Sequence, residues 1–323
     1  MKQRLCAVLA LILAVPTLAA CTPGNAAKPT EQTPQRLLSE ESGDLNSASA
    51  HWLSEDAVAW SAPPDSEVRL FFSGKADLLM VPRGGLVGGE SVVLQPDGRV
   101  QGELAARFRH LAGLPLYRIP PEDRPRVPEI LRQQFALAAV DGDDQTLAVT
   151  GIQIPGVLDD LYTTDLPLGV SFEQAVSGYA SDPDRVPVIR LWAPTARSVQ
   201  LHLHRDSRSE SAQADIHPMK RDPASGSWSL RGKPGWDRMY YQFEVEVYVP
   251  STGRFETSLV TDPYSLNLSL HSRRTQIIDL SDADLQPRGW SKARKPPLAA
   301  PEDIVLYELH VRDFSIHDPT VPE

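Results

Sequence analysis

Hydrophobic and polar positions change places with a period of two over several stretches of the chain. Val199, Leu201 and Leu203 alternate with Gln200, His202 and His204. A strand turns successive side chains to opposite faces, so this pattern predicts a half-buried strand with a polar outer face. Tyr240–Val249 repeats it. Tyr241, Phe243, Val245, Val247 and Val249 share one face, assigned to the core; Tyr240, Gln242, Glu244, Glu246 and Tyr248 share the other. Met219–Leu230 reads as a strand end, a Pro/Gly turn and a second strand. Earlier in the chain, Val68–Phe72 and Asp77–Val81 are short strand signals. Arg83–Gly89 reads as a glycine-rich loop, and Val127–Val140 runs from helix-like into strand-like. Ile152–Tyr162 closes that region. Short strands punctuated by turns every eight to twelve residues predict β-sandwiches rather than helical domains. The expected fold class is therefore mostly β. It comprises two tandem β-sandwich domains, over 48–164 and 165–290, the second immunoglobulin-like. A basic, Pro-rich boundary follows at Lys292–Pro297. After it, Ile304–Tyr307 leads into alternation at Glu308–Val311, which predicts a short buried strand with polar residues at its C-terminal end.

The 29 prolines among 323 residues fit short strands and loops, and 41% hydrophobic content suffices for real cores. A formal charge of −10 argues against nucleic acid as a partner. The two cysteines, Cys6 and Cys21, leave no disulfide framework for the rest of the chain. Lys2 and Arg4 precede the apolar run Leu5–Val15, which has the length of a secretory h-region and is too short for a comfortable membrane span. Leu18-Ala19-Ala20-Cys21 resembles the bacterial lipobox. That resemblance implies a signal peptide over 1–20 and lipidation at Cys21, with Thr22 favouring the outer membrane or cell surface. Multiple acyl chains would supply stable anchoring. Residues 21–47 are rich in Pro, Thr and Ala and read as a disordered tether.

Three stretches resemble one family. Ile304–Ser315, with its wording VLYELHVRDFS, resembles the first barrel strand of the α-amylase superfamily (glycoside hydrolase family 13), and within it the pullulanase-type debranching enzymes. Ala50-His51-Trp52, Arg107–Leu111 and Gly151–Asp160 resemble the domain that precedes the starch-binding-type module in bacterial pullulanases. RLWAPTARSVQLHL, GSWSL and VTDPYS resemble carbohydrate-binding module family 48. The resemblance implies the N-terminal part of an α-1,6-glucosidase acting on pullulan, starch or glycogen. Its partner would be an α-glucan. A (β/α)8 barrel needs about 250 residues, so residues 291–323 would hold only a linker and the first strand. The motifs carrying the family's two carboxylates do not occur, so no catalytic residue is assigned and the chain alone is expected to be inactive. Any calcium requirement would belong to the complete enzyme; no cofactor is assigned to this chain. The alternative is a stand-alone, surface-anchored α-glucan-binding lipoprotein.

A neutral glucan is gripped by aromatic faces and a few polar groups. Trp236, after the turn Pro234-Gly235, is the expected exposed platform. Trp192 is expected to be half-exposed or packed under the neighbouring domain, and Tyr240 lies on the polar face of its strand. Trp228 and Tyr241 are weaker candidates. His202 and His204 point the same way from one strand, but no third metal ligand is visible. His51, His110, Asp159 and Asp160 lack metal-ligand spacing and read as surface or turn residues, and Trp52 and Trp60 as core. Glu308, His310 and Asp313 are the polar positions of the last strand and read chiefly as setting strand and loop geometry. The Arg83–Gly89 loop lacks the Gly-Lys-Ser/Thr ending of a phosphate cradle.

Overall fold

The computed structural model describes residues 43–81, 85–173, 185–208, 214–310, 313–314 and 318–320. The expected signal peptide over 1–20, with Cys6, then Cys21 and all but the last few residues of the expected tether lie outside them. The chain divides into a large compact unit ending at Leu280 and a small one over Ser281–Glu323.

The large unit opens with β1 (Gly43–Ser54), β2 (Ala57–Ala59), β3 (Glu67–Ser73), β4 (Leu79–Val81), β5 (Gly85–Val87), β6 (Glu90–Val93) and β7 (Gln95–Arg99). There follow α1 (Gly102–Arg107), β8 (Pro115–Arg118), α2 (Val127–Ile130), β9 (Gln134–Val140), β10 (Thr146–Gln153) and α3 (Pro155–Tyr162). Eight of these strands form one sheet in the order β6-β3-β9-β10-β1-β2-β8-β7. At its centre β1 and β10 run parallel.

Central strands of such a sheet are buried on both faces. Leu137 and Ala139 of β9 join Trp52, Leu70, Val157 and Tyr162 in the main core. Ala136 and Ala138 on the opposite face meet Leu78, Leu86 and Val149. Trp52 and Trp60 are buried, as the pattern predicted.

Two boundaries differ from the sequence reading. β1 begins at Gly43, inside the expected tether, because its backbone pairs with Val149 and Thr150 and Leu45 packs beside Leu78, Leu86 and Val149, while Ser47, Ala48 and Ser49 stay exposed. Composition carries no trace of such main-chain pairing. Gly43 sits at φ +90°, where a Cβ would lie 2.2 Å from the Val149 carbonyl oxygen. The stretch read as a glycine-rich loop contains β5, which forms a hairpin with β4.

The second domain comprises β11 (Gly169–Glu173), β12 (Val186–Trp192), β13 (Ser198–His204), β14 (Asp215–Pro218), β15 (Lys220–Arg221), β16 (Ser227–Arg231), β17 (Tyr240–Val249), β18 (Arg254–Val260) and β19 (Thr275–Gln276). One sheet runs β11-β12-β16-β15; the other runs β14-β13-β17-β18, with β19 on β17. The register sets Leu201 opposite Phe243 and Leu203 opposite Tyr241. These four meet Ile189, Leu191 and Trp228 between the sheets. The inward set expected from strand parity is thus the observed one at Tyr241, Phe243 and Val245.

The two domains are joined by directional contacts. Trp192 Nε1 donates to Tyr162 O at 3.1 Å, and its ring packs on the first domain's core. The Arg132 guanidinium donates to Ala196 O at 3.1 Å and to Arg197 O at 3.3 Å. Arg197 returns a bond to Gly74 O at 3.2 Å.

In the small unit the described residues form short 3-10 turns, at Ala283–Leu285, Trp290–Lys292 and Pro301–Asp303. The strand expected at Ile304–Val311 is not formed over Ile304–His310; Val311 lies outside the described residues. Val305 and Leu306 are 91% and 89% exposed. A strand needs a neighbour for its backbone N–H and C=O groups, and among the described residues none pairs with this segment.

Candidate functional site

The face of the β14-β13-β17-β18 sheet that points away from the core carries a polar strip. Tyr240, Gln242, Glu244, Glu246 and Tyr248 of β17 lie beside His204, His202, Gln200 and Ser198 of β13 and beside Phe255, Thr257 and Leu259 of β18. Eight residues of strand separate Tyr240 from Tyr248, about 27 Å at ~3.4 Å per residue.

The middle of the strip is held by hydrogen bonds. Gln200 Nε2 donates to Glu244 Oε1 at 2.8 Å, His202 Nε2 lies 2.9 Å from Glu244 Oε2, and Ser198 Oγ donates to Glu246 Oε2 at 3.2 Å. These bonds fix carboxylate and amide groups that face outward as acceptors and donors for hydroxyls. At one end Tyr248 and Phe255 meet edge to face, with ring centroids 5.7 Å apart at 66°. The Arg197 guanidinium covers Phe255 at 4.1 Å from its centroid. At the other end half-buried Tyr240 pairs with Gln276, which donates to Arg238 O at 3.0 Å and accepts from Asn267 Nδ2 at 2.7 Å.

The two histidines of the strip were expected on a solvent face, yet both are buried. They do point away from the core. Arg274, bonded to Asp206 O at 2.8 Å, stands beside His204 and, with burial as the larger cause, pushes its imidazole pKa down. Among the described residues no group of three or more His, Cys, Asp or Glu side chains is placed to hold a metal ion.

The sequence candidates separate sharply. Trp236 was expected to be the exposed platform, but it is 8% exposed and belongs to the second domain's core. Its ring lies 4.9 Å from that of His217 and against Gly232, where a Cβ would come within 2.7 Å of the indole. The missing side chain opens the slot that takes the ring. Trp192 is half-buried in the seam between the domains, and Trp228 is buried with Nε1 bonded to Ala193 O at 3.0 Å. Tyr241 is fully buried. Tyr240 alone of the named candidates stays on the outward strip. Tyr248 and Phe255 join it through the β17–β18 register, which the pattern of either strand alone does not give.

The remaining polar candidates have local roles. His51 and His110 come together with rings 6.0 Å apart, and burial, then His110, lowers the His51 pKa. Asp160 accepts the Glu55 N–H at 2.8 Å, and Asp159 lies 3.9 Å from Arg107. In the small unit Glu308 is exposed, and His310 Nδ1 lies 3.4 Å from Asp313 Oδ2.

Two family models match in tandem: the Pullulanase N2 domain over residues 47–160, and carbohydrate-binding module 48 (isoamylase N-terminal domain) over 167–265. The chain is 33% identical over 276 residues to the chloroplastic pullulanase 1 of Arabidopsis thaliana, covering 84% of this chain and 27% of that protein. It is 31% identical over 280 residues to the pullulanase of Klebsiella pneumoniae, covering 85% of this chain and 24% of the relative. A crystal structure of Klebsiella pneumoniae pullulanase complexed with maltotriose matches with a TM-score of 0.66 at 30% identity, over 77% of this chain and 22% of that one. The chain thus spans about a quarter of the length of the curated relatives it matches. With two matching domains in the same order and homologues of one kind, the chain is the N-terminal portion of a pullulanase-type protein.

Proposed function

We propose that this chain supplies the accessory and glucan-binding region of a secreted, lipid-anchored starch-debranching glycoside hydrolase. The parent reaction would be cleavage of α-1,6-glucosidic bonds in pullulan, starch or glycogen. The observation that carries the reading is the tandem of N2 and family 48 domains, whose relatives include a pullulanase complexed with maltotriose. In such hydrolases two carboxylates about 5 Å apart perform a retaining displacement; no residue of this chain is assigned to that step. Cys21 is the proposed attachment point for lipid, and the outer membrane or cell surface the proposed location.

Within the chain, glucan contact belongs to the outward strip of the second domain. Tyr240 and Tyr248 offer apolar ring surface to sugar C–H groups, and Gln242 and Glu244 offer hydroxyl partners. Trp236 and Trp192 are withdrawn from that role by burial and by the seam. Calorimetric titration of the chain with maltotriose tests this. Tyr240→Ala and Tyr248→Ala should each weaken binding by about 1–3 kcal/mol, the usual weight of an aromatic contact. Unchanged affinity in both variants would move the site elsewhere. Labelled fatty acid should enter the wild-type protein in a bacterial host and be lost in Cys21→Ser; label retained in that variant would refute the anchor.

A further inference from the structure

Three arginines from separate parts of the chain converge on the seam between the two domains. Arg132 follows α2, Arg197 precedes β13, and Arg221 ends β15. Together with Glu129, Gly74 and Pro128 they line a cavity of about 340 Å³, within the ~300–1,000 Å³ typical of small-molecule sites.

The charges there are poorly compensated. Arg132 bonds two backbone carbonyls, Arg197 bonds one and lies over Phe255, and Arg221 reaches Tyr162 Oη at 3.5 Å. Among the described residues none of the three has a carboxylate within ion-pair distance. Arg221 Nε is buried without a hydrogen-bond partner. A guanidinium does not lose its proton in a protein, so the repulsion cannot be relieved by titration. Two acidic groups are close. Glu129 lines the cavity and accepts from Gln133 Nε2 at 3.5 Å. Asp222, next to Arg221, has its oxygens taken by Ser225 Oγ at 2.6 Å and Ala224 N–H at 3.1 Å. Three permanent cations thus share a cleft with one carboxylate on its wall, and among the described residues Arg132 bonds to the other domain's main chain.

We propose that this interdomain cavity is an oxyanion site that takes a phosphoryl group, either as free phosphate or as a phosphate monoester on a sugar. A planar guanidinium presents paired donors that match phosphate oxygens, and charge-assisted bonds of this type are the strong ones. The anion would offset the repulsion among the three cations. Because its ligands come from both domains, binding would also brace the seam.

Calorimetric titration of the full chain with inorganic phosphate, at ionic strength matched by sodium chloride, tests the site. Saturable one-to-one binding is expected, with a rise in melting temperature that grows with phosphate concentration. Arg221→Gln should weaken the affinity about tenfold or more, and Glu129→Gln should tighten it several-fold by removing the one carboxylate on the wall. Absence of saturable binding, or phosphate affinity equal to wild type in both variants, would overturn the proposal. If Arg221→Gln fails to fold by circular dichroism, the Glu129→Gln comparison decides alone. Glucose 6-phosphate binding tighter than phosphate, with glucose silent, would assign a sugar phosphate. Equal binding would assign the free anion.

Discussion

Replacing Asp262 by Asn should make the second domain more stable at neutral pH and leave it unchanged in acid. Asp262 stands at the exit of β18, where the chain turns through Pro263 and Tyr264. It is 7% exposed. Oδ1 accepts the Tyr264 N–H at 2.5 Å, while Oδ2 is buried with no hydrogen-bond partner. The Asp262 N–H donates to Ser265 Oγ at 3.3 Å, and Tyr241 lies alongside; burial and the Asp262 charge together raise that phenol's pKa. Desolvation outweighs the single N–H bond and pushes the carboxyl up to about 6 from the ordinary 3.8. A rise of about two units at ~1.36 kcal/mol each is a penalty of about 3 kcal/mol for the ionised form in the folded state. The folded state holds this proton more tightly than the unfolded one. The group's contribution is therefore most favourable below about pH 4, falls as pH rises through the window to about 6, and stays at its least favourable above it.

Asn has the same shape and no charge, and its Oδ1 can still accept the Tyr264 N–H. Urea unfolding of the wild-type chain and of Asp262→Asn, at about pH 4 and about pH 8, separates the charge from the shape. Other titrating groups cancel in the difference. The variant should gain up to about 3 kcal/mol at the higher pH, equivalent to roughly 6–12 °C for a unit of this size, and almost nothing at the lower. A stability difference that does not change with pH, or a variant less stable at pH 8, would refute the reasoning.

Other substitutions test the packing. Gly156→Ala places a Cβ 2.7 Å from Trp52 O and 2.8 Å from Leu53 Cα; with backbone on both sides, a loss of about 1–3 kcal/mol is expected in thermal melting. Trp192→Phe removes the Nε1 bond to Tyr162 O across the seam and should cost about 1–3 kcal/mol, since it leaves that carbonyl without its partner. Trp236→Ala empties a core slot beside Gly232 and should cost about 3–5 kcal/mol. The maltotriose affinity of the molecules that remain folded should be unchanged, and a selective loss of affinity would return Trp236 to the binding surface.

What the sequence disclosed and what it withheld follow from the range of the physics involved. Period-two alternation is local, so Tyr241 and Phe243 are legible as core from β17 alone, and the opposite parity correctly sends Tyr240 outward. Whether an outward residue meets water depends on what else folds over it. His202 and His204 have the predicted direction and the opposite exposure; His202 is bonded to Glu244 of the neighbouring strand, and Arg274, distant in sequence, stands beside His204. Trp236 fails the other way. Pro234-Gly235 marks a turn, but the slot that receives the indole is made by an absent side chain at Gly232. β1 before Ala50 pairs with β10 and Leu86 of β5 packs on Ala136 and Ala138, partners distant along the chain, and the apolar pattern of Ile304–Tyr307 states a preference that only a neighbouring strand can satisfy. The same logic places the chemistry of the seam beyond sequence reading. Arg132, Arg197 and Arg221 each look like ordinary surface arginines in their own segments. Only the packing of one domain on the other brings three fixed positive charges to one cavity, where their shared lack of counter-charge becomes a property of the site and of none of the three segments separately.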